Sequence, residues 1–330
     1  MIMATAPGRC GIVGNPTDIY GGSVISITTP ARARCELTAG GPLTVRCSDE
    51  QSTITSQADL AQRGDKLDAA RGALSYFEID PANAKFSLTL TTDIPMRAGM
   101  AGSTALVVAL VGALDKYLRL GFHPWAIAET ARKIEAREMG VMCGLQDQHM
   151  AVFGGLNYMD FARKEMLEQK DDEPLATVEP LAAYVKNIPL LTAHTGIPHD
   201  SGTVHTSPRE RWLAGERQVR EAYIRIAELA RAGKRALLAG DWPALGRLMD
   251  ENHFIVSELG GSGPENDRLI DVARKAGAFG AKLAGAGGGG TIIALTDDLD
   301  RVRAALLDAG ADSIMIPEPT PGLTVTEEPQ

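Results

Sequence analysis

The residues from Pro95 to Ala105, Pro-Met-Arg-Ala-Gly-Met-Ala-Gly-Ser-Thr-Ala, restrict what this chain can become more than any other stretch. They follow an alternating apolar run (Phe86, Leu88, Leu90) that reads as a strand. They open into a segment with Leu106, Leu110, Leu114 and Leu118 on one helical face. A loop of small residues between strand and helix lets backbone N–H groups approach an anion, and the first helical turn and its dipole hold it there. Ser103 and Thr104 add hydroxyls that can meet a phosphate or a magnesium ion. A plain strand-to-helix turn capped by Ser103 would have the same outline. The loop is not of the Walker A type, because no Gly-Lys-Ser/Thr follows at the required spacing.

At 330 residues the chain exceeds a minimal domain and suits two domains sharing a cleft. With 44% hydrophobic and 23% charged residues it reads as an ordinary soluble globular protein with an ample core. The net charge of −9 argues against non-specific nucleic-acid binding and against docking on an anionic membrane surface. A phosphate ligand would then need local compensation from backbone N–H groups, magnesium or single basic residues. Cys10, Cys35, Cys47 and Cys143 show no paired spacing, so neither a zinc site nor a redox motif is expected. They read as reduced thiols of a cytoplasmic protein. The start lacks a basic stretch followed by an apolar one, and the longest apolar run, from Ala105 to Leu114, is short of a membrane span.

Along the chain, strands are expected at Cys10 to Val13, Ser23 to Thr38 and Leu43 to Cys47, then a polar loop over 49–58 and a helix from Asp59 to Phe77. A second helix begins at Pro124 and runs to Glu138, followed by a strand over 155–161. The charged run Arg163 to Pro174 reads as a solvated connection, which divides the chain into domains at 1–165 and 166–330. The second half shows strand signals at Ala176 to Val185 and Ile188 to Thr195, and a helix ending near Ala232. Shorter helices follow over 234–239, 242–259 and 265–276, then one over 299–309 and two short strands.

Two further stretches stand out. Gly14-Asn15-Pro16-Thr17-Asp18-Ile19-Tyr20-Gly21-Gly22 has the composition of a long hairpin turn. With Arg9 upstream, Asp18 and Tyr20 complete three groups able to bind a polyol. The run Gly285 to Gly290 holds five glycines in six residues between two apolar strand-like segments. Each glycine weakens a regular element by about 0.5–1 kcal/mol relative to Ala, so this run reads as a tight turn with close backbone approach to a ligand.

Together these three stretches, in this order and covering almost the whole chain, resemble the GHMP kinases, the superfamily of galactokinase, homoserine kinase, mevalonate kinase and phosphomevalonate kinase. Pro7-Gly8-Arg9 through Gly22 corresponds to the first motif, Pro95–Ala105 to the second (P-x-x-x-G-L-G/S-S-S-A) and Lys282–Gly290 to the third. Pro-Gly-Arg in place of Pro-Gly-Lys favours the sugar-kinase branch. Gly144-Leu145-Gln146-Asp147-Gln148 and Ser201-Gly202-Thr203-Val204-His205 look glucuronokinase-like, and the third motif also looks like that of heptose-7-phosphate kinase. Met100 and Thr104 depart from the family's usual Leu and second Ser.

The resemblance implies an α+β fold of two domains: an N-terminal one like ribosomal protein S5 domain 2, and a ferredoxin-like C-terminal one. It implies ATP and Mg2+ as cofactors and a sugar or sugar-acid as small-molecule substrate, phosphorylated at the anomeric hydroxyl, with no nucleic-acid or membrane partner. The chain would be a monomer or homodimer. By resemblance Asp147 is the general base and Arg9 its partner, or a stabiliser of the phosphoryl group in transfer. Arg97, Gly99, Ala101, Gly102, Ser103 and Thr104 would bind the nucleotide, and Ser103 with Glu135 the metal. The family spacing of twelve residues before the base points to Glu135, with Glu138 as the alternative. Asp18, Tyr20, Ser201, His205 and Gly287 would hold the acceptor. A decarboxylase of the same fold, or a sugar and ATP sensor without turnover, are the rival readings.

Overall fold

The computed structural model describes residues 1–95, 98–164, 173–197, 207–285 and 290–328. Its first half contains β1 (Ile2–Val13), β2 (Ser23–Ala39), β3 (Thr44–Cys47), β4 (Glu50–Thr53), α1 (Asp68–Tyr76), β5 (Phe86–Thr92), α2 (Gly102–Leu118), α3 (Pro124–Lys133), α4 (Gln146–Phe153) and β6 (Leu156–Asp160). The second half adds β7 (Thr177–Pro180), β8 (Leu190–His194), α5 (Pro208–Leu213), α6 (Arg217–Ala239), α7 (Trp242–Glu258) and α8 (Pro264–Lys275). It closes with β9 (Gly280–Leu283), β10 (Thr291–Leu295), α9 (Leu299–Asp308), β11 (Ser313–Met315) and β12 (Thr324–Glu327).

Two sheets result, in the α+β arrangement expected. The larger has the order β12-β1-β2-β5-β3-β4, with β6 and then β7 branching from β2. The 17-residue β2 makes this possible, because its first half pairs with β6 and its second half with β5. The smaller sheet is antiparallel, β11-β8-β10-β9, with α8 and α9 packed on its Ile292, Ala294 and Leu191 face. Strands β7 and β12 join the larger sheet although both lie beyond residue 165.

Helix α2 is buried from Thr104 to Leu114, apolar on nearly every side as befits a central helix. That burial holds its N-terminus rigidly against β1.

Several elements differ from the expectation. The helix expected over 59–77 is a short turn at Gln57–Leu60 followed by α1 alone. Gly64 is left-handed (φ +77°), and the Asp68 carboxylate takes the N–H groups of Arg63 and Gly64, which ends any continuous helix there. The polar loop contains β4, hairpinned on β3. Conversely, α6 runs unbroken through Gly233, where a Cβ would lie 2.7 Å from Val13 Cγ1. That glycine serves close packing and does not end the helix. The helix from Pro124 gives way after Lys133 to a wide i→i+5 turn over Ile134–Glu138, a form of helix recurrent at functional sites.

Candidate active site

The site starts from a defect in β1. Its pairing with β2 slips between Pro7 and Arg9, and such a bulge re-aims the side chain that follows. A Cβ on Gly8 would sit 2.8 Å from Thr29 Oγ1 and 3.0 Å from the Met100 carbonyl, so glycine is required there. The Arg9 N–H donates to that same carbonyl (3.1 Å), which ties β1 to the small-residue loop.

The Arg9 side chain is 5% exposed and fully engaged. Its Nε donates to Asp147 Oδ1 at 2.7 Å, with Nη2 in ion-pair contact 2.6 Å from the same oxygen, and its Nη1 donates to the Gly99 carbonyl at 2.6 Å. Among the described residues nothing hydrogen-bonds Asp147 Oδ2, so one carboxylate oxygen stays available to a ligand. Asp147 sits in the first turn of α4, and a second carboxylate holds that turn. Asp18 Oδ2 accepts from the N–H groups of Leu145 (2.7 Å) and Gln146 (3.0 Å). Burial raises the Asp18 pKa above the usual carboxylate range, and these two hydrogen bonds offset part of the rise. A Cβ on Gly144 would lie 2.0 Å from Asp18 Oδ2, so the approach to α4 also demands glycine.

The small-residue loop is shaped as an anion cradle. Gly99 (φ +71°) and Ala101 (φ +62°) are both left-handed, Met100 anchors the loop in the core, and α2 starts at Gly102 with no side chain capping its N–H groups. Ser103 is exposed on the first turn. The two described ends of the glycine run, Gly285 and Gly290, lie against this loop. A Cβ at Gly285 would meet the Gly99 carbonyl at 2.7 Å, and one at Gly290 the Ala98 carbonyl at 2.6 Å. The close approach inferred for these glycines is thus, at both described ends, to the backbone of the cradle.

Thr104 turns inward, and its hydroxyl donates to Glu135 Oε1 (2.8 Å), while Gln148 Nε2 donates to Oε2 (2.5 Å). Glu135 is 2% exposed, and burial pushes its pKa up to about 7 against the pull of those bonds. Glu138 faces the other way and accepts from Ser75 Oγ on α1 at 2.8 Å. The wide turn over Ile134–Glu138 therefore puts Glu135, and not Glu138, beside the first turn of α2. Among the described residues no three His, Cys, Asp or Glu side chains cluster as a metal cage. A single carboxylate with neighbouring hydroxyls still fits magnesium, which takes most of its ligands from phosphate and water.

Next to Asp147 opens a cavity of about 280 Å³ bordered by Arg9, Asp18, Tyr20, Gln146, Arg209 and Tyr223. The Tyr20 ring stacks on Tyr223 (centroids 4.1 Å apart) and leans on Trp212 (4.6 Å), so α5 and α6 form its far wall. A wider surface depression of about 780 Å³ near Tyr117 and Glu328 contains none of the motif residues. Arg97, Ser201, His205 and Gly287 lie outside the described residues.

Some of the site had no mark in the sequence. Asn15 was part of a stretch read as turn chemistry, yet its Nδ2 donates to the Gly285 carbonyl (2.7 Å) and its Oδ1 accepts from Lys282 Nζ (2.8 Å). Asn252 on α7 donates to the Asn15 carbonyl (3.1 Å) and accepts the Gly14 N–H (2.8 Å). Lys282 is 1% exposed, and burial lowers its pKa to about 7. This buried network joins the first and third motifs. Only the neighbourhood of Lys282 to the glycine run hinted at it.

Family models match in both halves: the GHMP kinases N terminal domain over residues 67–155 and the GHMP kinases C terminal model over 234–312. Glucuronokinase 1 of Arabidopsis thaliana is 32% identical over 305 residues, covering 85% of this chain and 81% of its own. The mevalonate kinase of Pyrococcus abyssi is 26% identical over 346 aligned positions, 99% of this chain and 98% of its own. Among solved structures, a D-glycero-D-manno-heptose 1-phosphate kinase from Bacteroides thetaiotaomicron superposes over the full length of both chains with a TM-score of 0.76 at 23% identity, a likeness of fold. No described helix is long and apolar enough to cross a membrane. With the small-residue loop and Asp147 inside the span of one family model, the glycine run inside that of the other, and the glucuronokinase likeness over most of the chain, the chain belongs to the GHMP kinases and is an ATP-using phosphotransferase that acts on a hydroxyl group.

Proposed function

We propose that this enzyme moves the γ-phosphoryl group of ATP, with Mg2+, to the anomeric hydroxyl of a sugar or sugar-acid. The observation that carries this reading is the Arg9–Asp147 pair, placed where the anion cradle meets the cavity. Asp147 Oδ2 would accept the proton of the attacking hydroxyl, while Arg9 keeps the orientation of Asp147 constant. The uncapped first turn of α2 would hold the β- and γ-phosphates, with Ser103 and Glu135 as the metal's protein contacts. Bound there, the cation would offset charge on the transferring phosphoryl group. Catalysis would rest on positioning and electrostatics. The likeness to a glucuronokinase supports the acceptor class.

A second reading, a mevalonate-type acceptor, draws on relatives that align over 99% of this chain. ADP release measured against glucuronate, galacturonate, galactose, mannose, heptose 7-phosphate and mevalonate separates the two. Turnover on one sugar, lost in Asp147→Asn, is the expected result. Turnover on mevalonate alone would replace the sugar reading, and ATP binding without turnover on any acceptor would favour a sensor.

A further inference from the structure

We infer that Arg209 is a specificity-determining residue of the acceptor cavity, which binds an anionic group of the substrate and so selects acidic monosaccharides over neutral ones. This inference rests on the phosphotransfer reading of the same cavity.

The cavity is bordered by two arginines, Arg9 and Arg209. Arg9 is consumed by Asp147 and Gly99. Arg209 is half-buried, and its Nε is shielded from solvent with no hydrogen-bond partner. Among the described residues no carboxylate pairs with it. The absence is conspicuous because the charges around it are matched to one another. Glu210 turns back to accept the Ser207 N–H (2.8 Å), and Arg211 pairs with Glu216 through two bonds of 2.8 and 2.5 Å. Of the carboxylates that border the cavity, Asp147 is paired with Arg9 through Oδ1 and Asp18 holds the start of α4 through Oδ2, and among the described residues neither pairs with Arg209.

A guanidinium N–H without a partner away from water is costly, and an oxyanion supplied by the ligand relieves that cost. The planar fork suits a carboxylate or a phosphate, either of which it can grip through two parallel hydrogen bonds. The stacked rings of Tyr20 and Tyr223 border the same space and offer an apolar wall to the body of the sugar. A volume of about 280 Å³ lies at the low end for small-molecule sites, which suits one monosaccharide. Uronic acids and sugar phosphates share this chemistry, and the test separates them.

Binding of glucuronate, glucose 6-phosphate, glucose and galactose to the wild type, Arg209→Gln and Arg209→Lys is measured by titration calorimetry, alongside ADP release with each. The wild type is expected to favour one of the acids. In Arg209→Gln, kcat/KM for that acid should fall roughly a hundredfold, mostly through KM, the loss of a two-bond charged grip. Neutral sugars should change little, and Arg209→Lys should restore part of the preference. Which acid is favoured tells carboxylate from phosphate. An acid-to-neutral ratio unchanged in Arg209→Gln, or a wild type that binds neither acid, overturns the inference. Acid binding that depends on Arg209 without ADP release would support it while sinking the kinase reading.

Discussion

Replacing Arg9 with lysine keeps a positive charge at the centre of the site and removes its geometry. Arg9 holds two partners from one planar group: Nε donates to Asp147 Oδ1 (2.7 Å), with Nη2 in ion-pair contact with the same oxygen, and Nη1 donates to the Gly99 carbonyl (2.6 Å). A lysine ammonium is a point donor and cannot span both partners. Asp147 would keep a counter-ion, so the change isolates the link between the carboxylate and the nucleotide loop. A hydrogen bond to a charged group contributes about 1.5–3 kcal/mol. Losing one in the transition state lowers kcat by roughly 10- to 150-fold. In the folded state the same loss lowers the melting temperature by a few degrees, about 2–4 °C per kcal/mol for a chain of this order of size. Steady-state ADP release gives kcat and KM, and thermal denaturation gives stability. Arg9→Met should do worse on both counts, since it also leaves Asp147 without its ion pair. Wild-type kcat and melting temperature in Arg9→Lys would refute the claim that the fork holds base and cradle in register.

Gly285→Ala puts a methyl 2.7 Å from the Gly99 carbonyl. Overpacking of this kind costs about 1–3 kcal/mol, and KM for ATP should rise more than KM for the acceptor; equal KM values in variant and wild type would rule out the contact's importance. Glu135→Gln should raise the magnesium concentration needed for half-maximal rate. Glu138→Gln, at a carboxylate that accepts from Ser75 on α1, should leave it unchanged, and the reverse pattern would exchange their roles. His149, on the inner face of α4, is fully buried, and burial lowers its pKa from 6.5 to about 4. Between those values the unfolded chain takes up a proton that the native one refuses. Stability is therefore complete above about pH 6.5 and declines as pH falls, by roughly 3 kcal/mol once pH passes about 4. Urea melts at about pH 7 and about pH 5 should show a steeper loss in the wild type than in His149→Asn; parallel losses would count against this.

Much of the site could be read in order along the chain, because its chemistry is carried by backbone. A cradle of N–H groups needs small residues at a helix start, and Gly99, Ala101 and Gly102 announce it by composition alone. The glycines at 8, 144 and 285 are visible in the sequence too, although what demands them is a tertiary neighbour: Thr29 and the Met100 carbonyl, the Asp18 carboxylate, and the Gly99 carbonyl. Side-chain partnerships were less legible. Asp18 reads as a ligand for a polyol, whereas one of its oxygens caps a helix 127 residues further on. Asn15 reads as part of a turn, yet it joins the first motif to Gly285 and Lys282. Arg209 carried no signal at all, since its importance depends on neighbours that pair with one another and leave it alone.

The sequence by itself displayed the small-residue loop at a helix start, the glycine run and the order of the motifs, because residue sizes and periodicity are visible in short stretches. The α+β fold and the kinase chemistry followed from the family resemblance those motifs carry. Only the tertiary structure decided that Glu135 and not Glu138 faces Thr104, that α5 and α6 wall the cavity beside Asp147, and that β12 returns to pair with β1. Such outcomes depend on helix rotation, on a wide turn in one helix and on which long-range contacts bury the most surface. No local pattern encodes them, because the groups concerned meet only when the whole chain has closed around α2.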